Sequence, residues 1–292
     1  WSEWIGIIEP HYYKGERGNK PFDLELMLRI HLVQSLYNLS DMATMMEIID
    51  SRAFSEFCGV DSSNQIPDGD TIGRFRALLV KNGLQEKLFA QVVGLLSVQG
   101  LILKKGTIVD SNIIATPSST KNLEKKRDPD AHQTKKGNTW YFGYKAHIGV
   151  DRETGLVHHV EVTGANVHDV TVVPALLTGD ETEVYGDSGY LEADKREGAI
   201  TRNTNGKAIR YKINRRPSQR KNGHIRSKGQ VRRREREKSS VRAKVEHVFG
   251  VVKNLFHFRK TRYKGRRKQA AQLNMLFALA NLYLADKHGL LA

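Results

Sequence analysis

The 292 residues suffice for one large or two ordinary domains, and with no apolar run long enough for a bilayer and no charged-then-apolar leader they point to a cytoplasmic, non-membrane protein. The single cysteine, Cys58, excludes an internal disulfide and suits a reducing compartment. The net charge of +15 is unevenly spread: residues 1–197 hold 21 Lys/Arg against 28 Asp/Glu, whereas residues 198–292 hold 26 against 4, so the back third seeks a polyanion, and nucleic acid fits best.

Residues 1–20 are mixed, with Gly15 and Gly18 marking a loop, and the first residue, Trp1, is expected to follow a missing natural N-terminus. From Pro21, placed in a first helical turn, Leu24, Met27, Leu28, Val33 and Leu36 recur at helical spacing. Ser40 or Asp41 is set to cap a second helix carrying Met42, Met45, Met46, Ile48 and Ile49. Asp68-Gly69-Asp70 precedes a third, Thr71 to Lys81, and a fourth runs from about Leu84 to Val98. Residues 1–103 therefore read as an all-helical domain. Arg74 and Arg76 sit as in a recognition helix, but the acidic balance favours assembly contacts over DNA-end binding.

At Leu101 the character changes. Gly106 to Ala115, GTIVDSNIIA, reads as a buried strand with Asp110 at its middle. Pro117 to Asn138 is nearly devoid of apolar residues and reads as an exposed loop. Trp140 to Val150 and Leu156 to Thr163 form a hairpin around Asp151-Arg152-Glu153-Thr154-Gly155. Asp169 or Thr171 caps a short helix with Pro174 in its first turn. Glu183 to Tyr185 is a further strand with Asp187 just past its end, and a helix from about Leu191 to Glu197 follows. Residues 198–238 form a basic block, mobile until it meets phosphate, with a candidate strand at Ala208 to Ile213. Ser239 or Ser240 caps a long helix to about Phe258, and a last helix spans about Lys268 to Asp286. This order, an α/β domain over residues 104–292, resembles the ribonuclease-H-like fold, whose central sheet brings distant carboxylates together.

A bare carboxylate in a buried strand is costly unless paired or ligating a metal. Asp110, Asp187 and Glu246 are three carboxylates on rigid elements, which is what a two-ion Mg²⁺ or Mn²⁺ site for phosphodiester chemistry needs. Arg242, Glu246 and Lys253, spaced by four and by seven, fall on one helix face, which places two cations beside the Glu to hold phosphates; a plain Arg242–Glu246 surface pair is the bland alternative.

The motifs PFDLELMLRIHLVQSLYNLSD, GTIVDSNIIATPSSTKN, RDPDAHQTKKGNTWYFGYKAHIGVD, YGDSGY, VRAKVEHVFGVVKNLFHFRKTRYKG and NMLFALANLYLAD resemble bacterial insertion-sequence transposases, specifically the insertion-sequence-five family. The resemblance runs along nearly the whole chain. It implies a D-D-E triad, which maps onto Asp110, Asp187 and Glu246 with separations of 77 and 59 residues. Related transposases carry Tyr, Arg, Glu and Lys around the Glu; Arg242, Glu246 and Lys253 match, and the Tyr position is Ser239. The implied activity is binding of the terminal inverted repeats of the element, cleavage that frees 3′-hydroxyls, and their transfer to target DNA by a homo-oligomer, expected to be a dimer, in a bacterial, nucleoid-associated setting. The rivals are a metal-dependent nuclease without strand transfer and a DNA-binding relic.

Arg232, Arg233 and Arg234, in the basic block, are expected on the DNA backbone. Adjacent His158 and His159 on a strand should point to opposite faces and form no metal pair. Helix capping is the leading reading for Asp169, with metal ligation the alternative; a solvated strand lysine is the leading reading for Lys145, and a surface or satisfied histidine for His147. His247 is read as a packing residue, Trp140 and Tyr141 as core or edge aromatics with base stacking the alternative, and Gly186 and Gly189 as turn glycines. No Walker loop or dinucleotide fingerprint is present, so neither ATP nor NAD is expected.

Overall fold

The computed structural model describes residues 1–15, 20–121, 123, 125–216 and 225–290, with side chains of the last segment from residue 229 on. The described elements up to residue 98 are helical: α1 (Ser2–Ile8), α2 (Leu24–Leu36), α3 (Asp41–Asp50), α4 (Arg52–Cys58), α5 (Gly69–Lys81) and α6 (Leu84–Val98), with two short 3₁₀ turns. Side-chain caps fix the starts of four of them, Ser51 Oγ accepting from Phe54 N at the start of α4. The carboxylate of Asp23 accepts from Leu26 N, Ser40 Oγ from Ala43 N, and the carboxylate of Asp68 from Thr71 N. Because Asp23 takes the cap of α2, Pro21 lies before that helix and not in its first turn. The mixed N-terminal stretch itself holds α1, whose Ile8 is fully buried.

The sheet comprises β1 (Gly106–Ala115), β2 (His132–Lys136), β3 (Thr139–Asp151), β4 (Val157–Gly164), β5 (Glu183–Gly186) and β6 (Arg210–Ile213). Its order is β2-β3-β1-β5-β6, with β4 paired to β3. Long β3 carries β1 along one edge and, on the other, β2 opposite its first five residues and β4 opposite its later ones. The β1–β3 and β3–β4 pairs are antiparallel, and β1–β5 and β5–β6 are parallel. Two helices complete the described chain: α7 (Ile225–Gly250), which passes into a π-helical segment at Val251–Leu255, and α8 (Arg266–Lys287).

One sheet face presents Ile108 and Ile114 of β1 and Tyr144, Ala146, Ile148 and Val150 of β3. Val245, Val248 and Phe249 of α7 and Leu276 and Phe277 of α8 join them in a cluster that also takes in Ile8, Met27, Leu28, Leu88 and Leu96 from the N-terminal helices. The opposite face, with Val109, Val184 and Ile213, is covered by a 3₁₀ segment, Asp169–Leu176, and by Tyr190. A smaller cluster of Ile30, Val33, Ile48, Cys58 and Ile72 lies among α2 to α5.

Several elements differ from expectation. The stretch Pro117–Asn138 holds strand β2, and it is tied down: buried Asp128 accepts from Tyr144 Oη at 2.7 Å and from Gly265 N at 2.9 Å. Between Leu191 and Glu197 there is one 3₁₀ turn, Ala193–Lys195, because left-handed Glu192 and Gly198 bracket it. The long helix does not start at Ser239 or Ser240. It starts at Ile225, so the described part of the basic block after 224 is helical, whereas residues 217–224 lie outside the described residues. An Arg233–Glu237 pair runs along the α7 surface, and buried Glu235 pairs with Lys238 and accepts from Asn214 Nδ2 and Arg215 N just past β6. Ser239 Oγ donates to Glu235 O inside the helix. Arg76 is not presented for DNA: it forks onto Asp41 and lies 3.8 Å over the Tyr263 ring, whereas Arg74 is exposed.

Candidate active site

Asp110 stands at the middle of β1, opposite Ile148 of β3 and so on the sheet face that α7 covers. Its Oδ1 accepts from Ser111 N at 2.8 Å, and its Oδ2 lies 3.8 Å from Arg242 Nη2. Burial pushes its pKa up to about 6; the Ser111 amide and Arg242 pull down, and the charges of Asp187 and Asp169 push up again.

Asp187 follows β5 directly. The parallel register pairs Ile108 with Tyr185. Continued by two residues, it sets Asp187 beside Asp110 at about the 4.8 Å spacing of neighbouring strands. The Asp187 carboxylate accepts from Gly189 N at 2.7 Å and so caps the turn Ser188–Tyr190. Gly186 is favoured by packing rather than by the turn, since its φ is ordinary and a Cβ there would meet Ile213 and Tyr190 at 3.0 Å.

Glu246 is exposed on α7. One turn before it, Arg242 lies 3.8 Å from Asp110 and donates to Asn214 Oδ1 at 3.2 Å, so the bland alternative, an Arg242–Glu246 surface pair, gives way to contacts with β1 and the end of β6. Seven residues after it, Lys253 Nζ donates to Asn112 Oδ1 at 2.6 Å and to Ile113 O at 3.1 Å. Glu246 thus lies on the helix stripe between two residues that both touch β1 within three positions of Asp110. Among the described residues, no three His, Cys, Asp or Glu side chains are grouped closely enough to hold one ion. Asp110 and Asp187 are brought together; Glu246 lies on the same side but outside their contact range. Arg232, Arg233 and Arg234 are exposed on the N-terminal half of the same helix.

The carboxylate pair has the chemistry of a divalent-cation site. Its donors are hard oxygens, its charges repel, and the nearest described cation at Asp110, Arg242, stands at 3.8 Å, beyond hydrogen-bond range.

Asp169, whose leading reading in the sequence is a helix cap with metal ligation the alternative, is close enough to Asp110 for its charge to act there. It does not cap the turn that it opens; His168 holds the cap position without a side-chain bond, and Asp169 Oδ1 instead meets Lys145 Nζ at 2.9 Å and His147 Nδ1 at 3.8 Å. Lys145 is therefore a largely buried, paired residue that also donates to Val167 O. His147 is fully buried, its Nε2 2.8 Å from Thr163 Oγ1, and burial lowers its pKa to about 4. The signal that could have found Asp169 is Lys145 itself, a charge on an otherwise apolar strand that needs a partner. His158 and His159 also depart from alternation: their Nδ1 atoms lie 2.7 Å apart. The β3–β4 register shifts at Gly149/Val150, and in such a bulge consecutive side chains share a side.

No helix among the described residues is long and apolar enough to cross a membrane. No solved structure matches the chain. Residues 1–78 match the family described as Transposase domain (DUF772), and residues 102–282 match the one described as Transposase DDE domain. The DDE domain implies a ribonuclease-H-like fold, with which the mixed, curled sheet agrees, and domains of this kind generally use divalent metal ions and act on DNA. With well over half of its length inside that one domain, the chain belongs to the DDE transposases of insertion sequences.

Proposed function

We propose that the protein binds the terminal inverted repeats of its own insertion sequence, cleaves there to free 3′-hydroxyls and joins them to target DNA, working as a homodimer. The observation that carries this reading is the abutting pair Asp110 and Asp187 on neighbouring parallel elements, with the Glu246 helix laid along the same strand. Asp110, Asp187 and Glu246 would hold Mg²⁺ or Mn²⁺. Such ions activate the attacking oxygen and stabilise the leaving one. Asp110, beside Asp187 and on the sheet face that α7 covers, would be the carboxylate shared between the ions. Glu246 would complete the set from a helix that Arg242 and Lys253 hold against β1. Those two cations flank the place of the scissile phosphate, Arg242 on the Asp110 side and Lys253 beyond Asn112. Asn214 holds Arg242 from the end of β6. Residues 1–103 would form the assembly or end-recognition domain and residues 104–292 the catalytic domain. Arg232, Arg233 and Arg234, exposed around one turn of α7, would add cationic charge for flanking phosphates.

The test is cleavage and joining of a DNA fragment that carries the sequences flanking the gene in its host element. Wild type should cut with Mg²⁺ or Mn²⁺ and not with EDTA. Asp110→Asn, Asp187→Asn and Glu246→Gln should each lose at least ~10³-fold in rate while still binding the fragment, the scale on which preorganised charge acts in catalysis. Cutting by Asp110→Asn at the wild-type rate would remove the active site from β1.

A further inference from the structure

The outer end of the β2–β3 hairpin lies outside the three apolar clusters. His132, Gln133, Lys135 and Lys136 of β2 are exposed, Trp140 is 65% exposed and Tyr141 36%. Exposing an indole to this degree forgoes its large apolar burial, so the ring is available to a ligand. Lys135 pairs in register with Trp140, its Nζ 5.9 Å from the ring centroid. From His132 to Phe142 the sequence holds two lysines and no Asp or Glu. A flat apolar surface set among cations with no carboxylate suits a polyanion that carries flat apolar groups, which is a nucleic-acid strand.

The hairpin also has a fixed relation to the carboxylates. Residues two apart on a strand share a face, so Trp140 lies on the face of Tyr144, Ala146 and Ile148, the cross-strand partners of Ile114, Asn112 and Asp110. Trp140 is eight positions along β3 from Ile148, at most about 27 Å at ~3.4 Å per residue. Within that limit, Lys136 at the end of β2 and Arg259 are near enough to Lys253 for their charges to add to burial in lowering its pKa. Lys253 in turn sits on Asn112, two residues from Asp110. A cationic path therefore leads from the carboxylates to the exposed indole.

We propose that the β2–β3 hairpin is a strand-binding arm, with Trp140 stacking on a base of unpaired DNA a few nucleotides from the scissile phosphate and Lys135 and Lys136 on the adjoining phosphates. The proposal rests on the reading above that the carboxylate site acts on DNA. Bases in a duplex are covered on both faces by their neighbours, so an indole finds a free base face only where pairing is lost. The DNA end is accordingly held with its strands parted near the site of cutting.

The test is fluorescence anisotropy of the full chain with three labelled DNAs of mixed sequence: a blunt duplex, the same duplex with a single-stranded flank, and the single strand alone. Trp140→Ala should bind the flanked duplex and the single strand about tenfold or more weaker, with blunt-duplex affinity unchanged, and Trp140→Phe should recover most of the loss. Unchanged melting temperatures establish that both variants are folded, as expected for so exposed a side chain. Unaltered affinity of Trp140→Ala for all three DNAs overturns the arm; so does an equal loss on all three, which marks a duplex contact. Asp110→Asn separates this from the catalytic reading. If it abolishes cleavage while Trp140→Ala changes nothing, the arm alone falls. If it cuts normally while Trp140→Ala loses the preference for unpaired DNA, the carboxylate assignment falls and the arm stands. A wild type that binds none of the three DNAs overturns both.

Discussion

His31 lies on α2 with 5% of its surface exposed, between Gln34, Asp41 and Arg76. Burial lowers its pKa to about 4; the Gln34 contact and Asp41 raise it and Arg76 lowers it further, so it is neutral in the fold and must take up a proton once unfolded near pH 6. Because the folded value lies below the unfolded one, its contribution is present above about pH 6.5 and is lost as pH falls toward 4. The melting temperature of the wild type should therefore decline over that window, and His31→Gln should flatten the decline by the equivalent of ~1–3 kcal/mol. An identical pH profile for the variant would show that His31 is not a buried neutral group. Single residues are legible in the sequence where physics is local: a charge on an apolar strand singles out Asp110. They are illegible where the partner is remote. Nothing near Asp169 in the chain announces Lys145, and the facing of His158 toward His159 depends on a bulge that strict alternation cannot foresee.

Among the elements, α7 combines the most roles. Its exposed Arg232, Arg233 and Arg234 are held by a helix that buried Glu235 fastens to Asn214 and Arg215. Replacing the three arginines by Ala should leave helix content unchanged and weaken duplex binding. The slope of log affinity against log salt should become shallower by about 0.9 for each phosphate that the variant no longer neutralises, up to about three phosphates. A slope equal to that of the wild type would exclude these arginines from the DNA backbone. The start of this helix is hard to place from sequence because Ser239 and Ser240 have the chemistry of a cap, while the stronger determinants, a buried Glu and i,i+4 pairs in a highly charged run, lie upstream. Strand β2 is hidden within a polar stretch, yet Gly137-Asn138, with Gly137 at φ 60°, is a two-residue turn of the kind that closes hairpins.

For the molecule as a whole, the main apolar cluster does not respect the change of character at Leu101. Ile8, Met27, Leu28, Leu88 and Leu96 belong to the same cluster as Ile108, Ile148, Val248 and Phe277. Shared burial of this kind couples the stability of the N-terminal helices to that of the sheet. Calorimetry of the full chain should give one unfolding transition, with the van't Hoff and calorimetric enthalpies equal. Two separable transitions would show that residues 1–103 fold on a core of their own. The order of strands and helices is legible in the sequence, since strands and helices differ in period and length. The packing of one half on the other is not, because an apolar helix face does not state which surface covers it.

The continuity of α7 has a mechanical consequence. Arg232 and Glu246 are 14 residues apart on one unbroken helix, or about 21 Å along its axis, roughly six base pairs of duplex. Under the proposed function, grip and cut would thus be joined by a rigid rod rather than by a tether. The helix acts as a ruler whose gradations are its own residues: adding one between the two groups would lengthen the interval by about 1.5 Å and turn the arginines by about 100° around the axis. On that proposal the distance from anchorage to incision would be written into the length of a single secondary-structure element, and its phase set together with it.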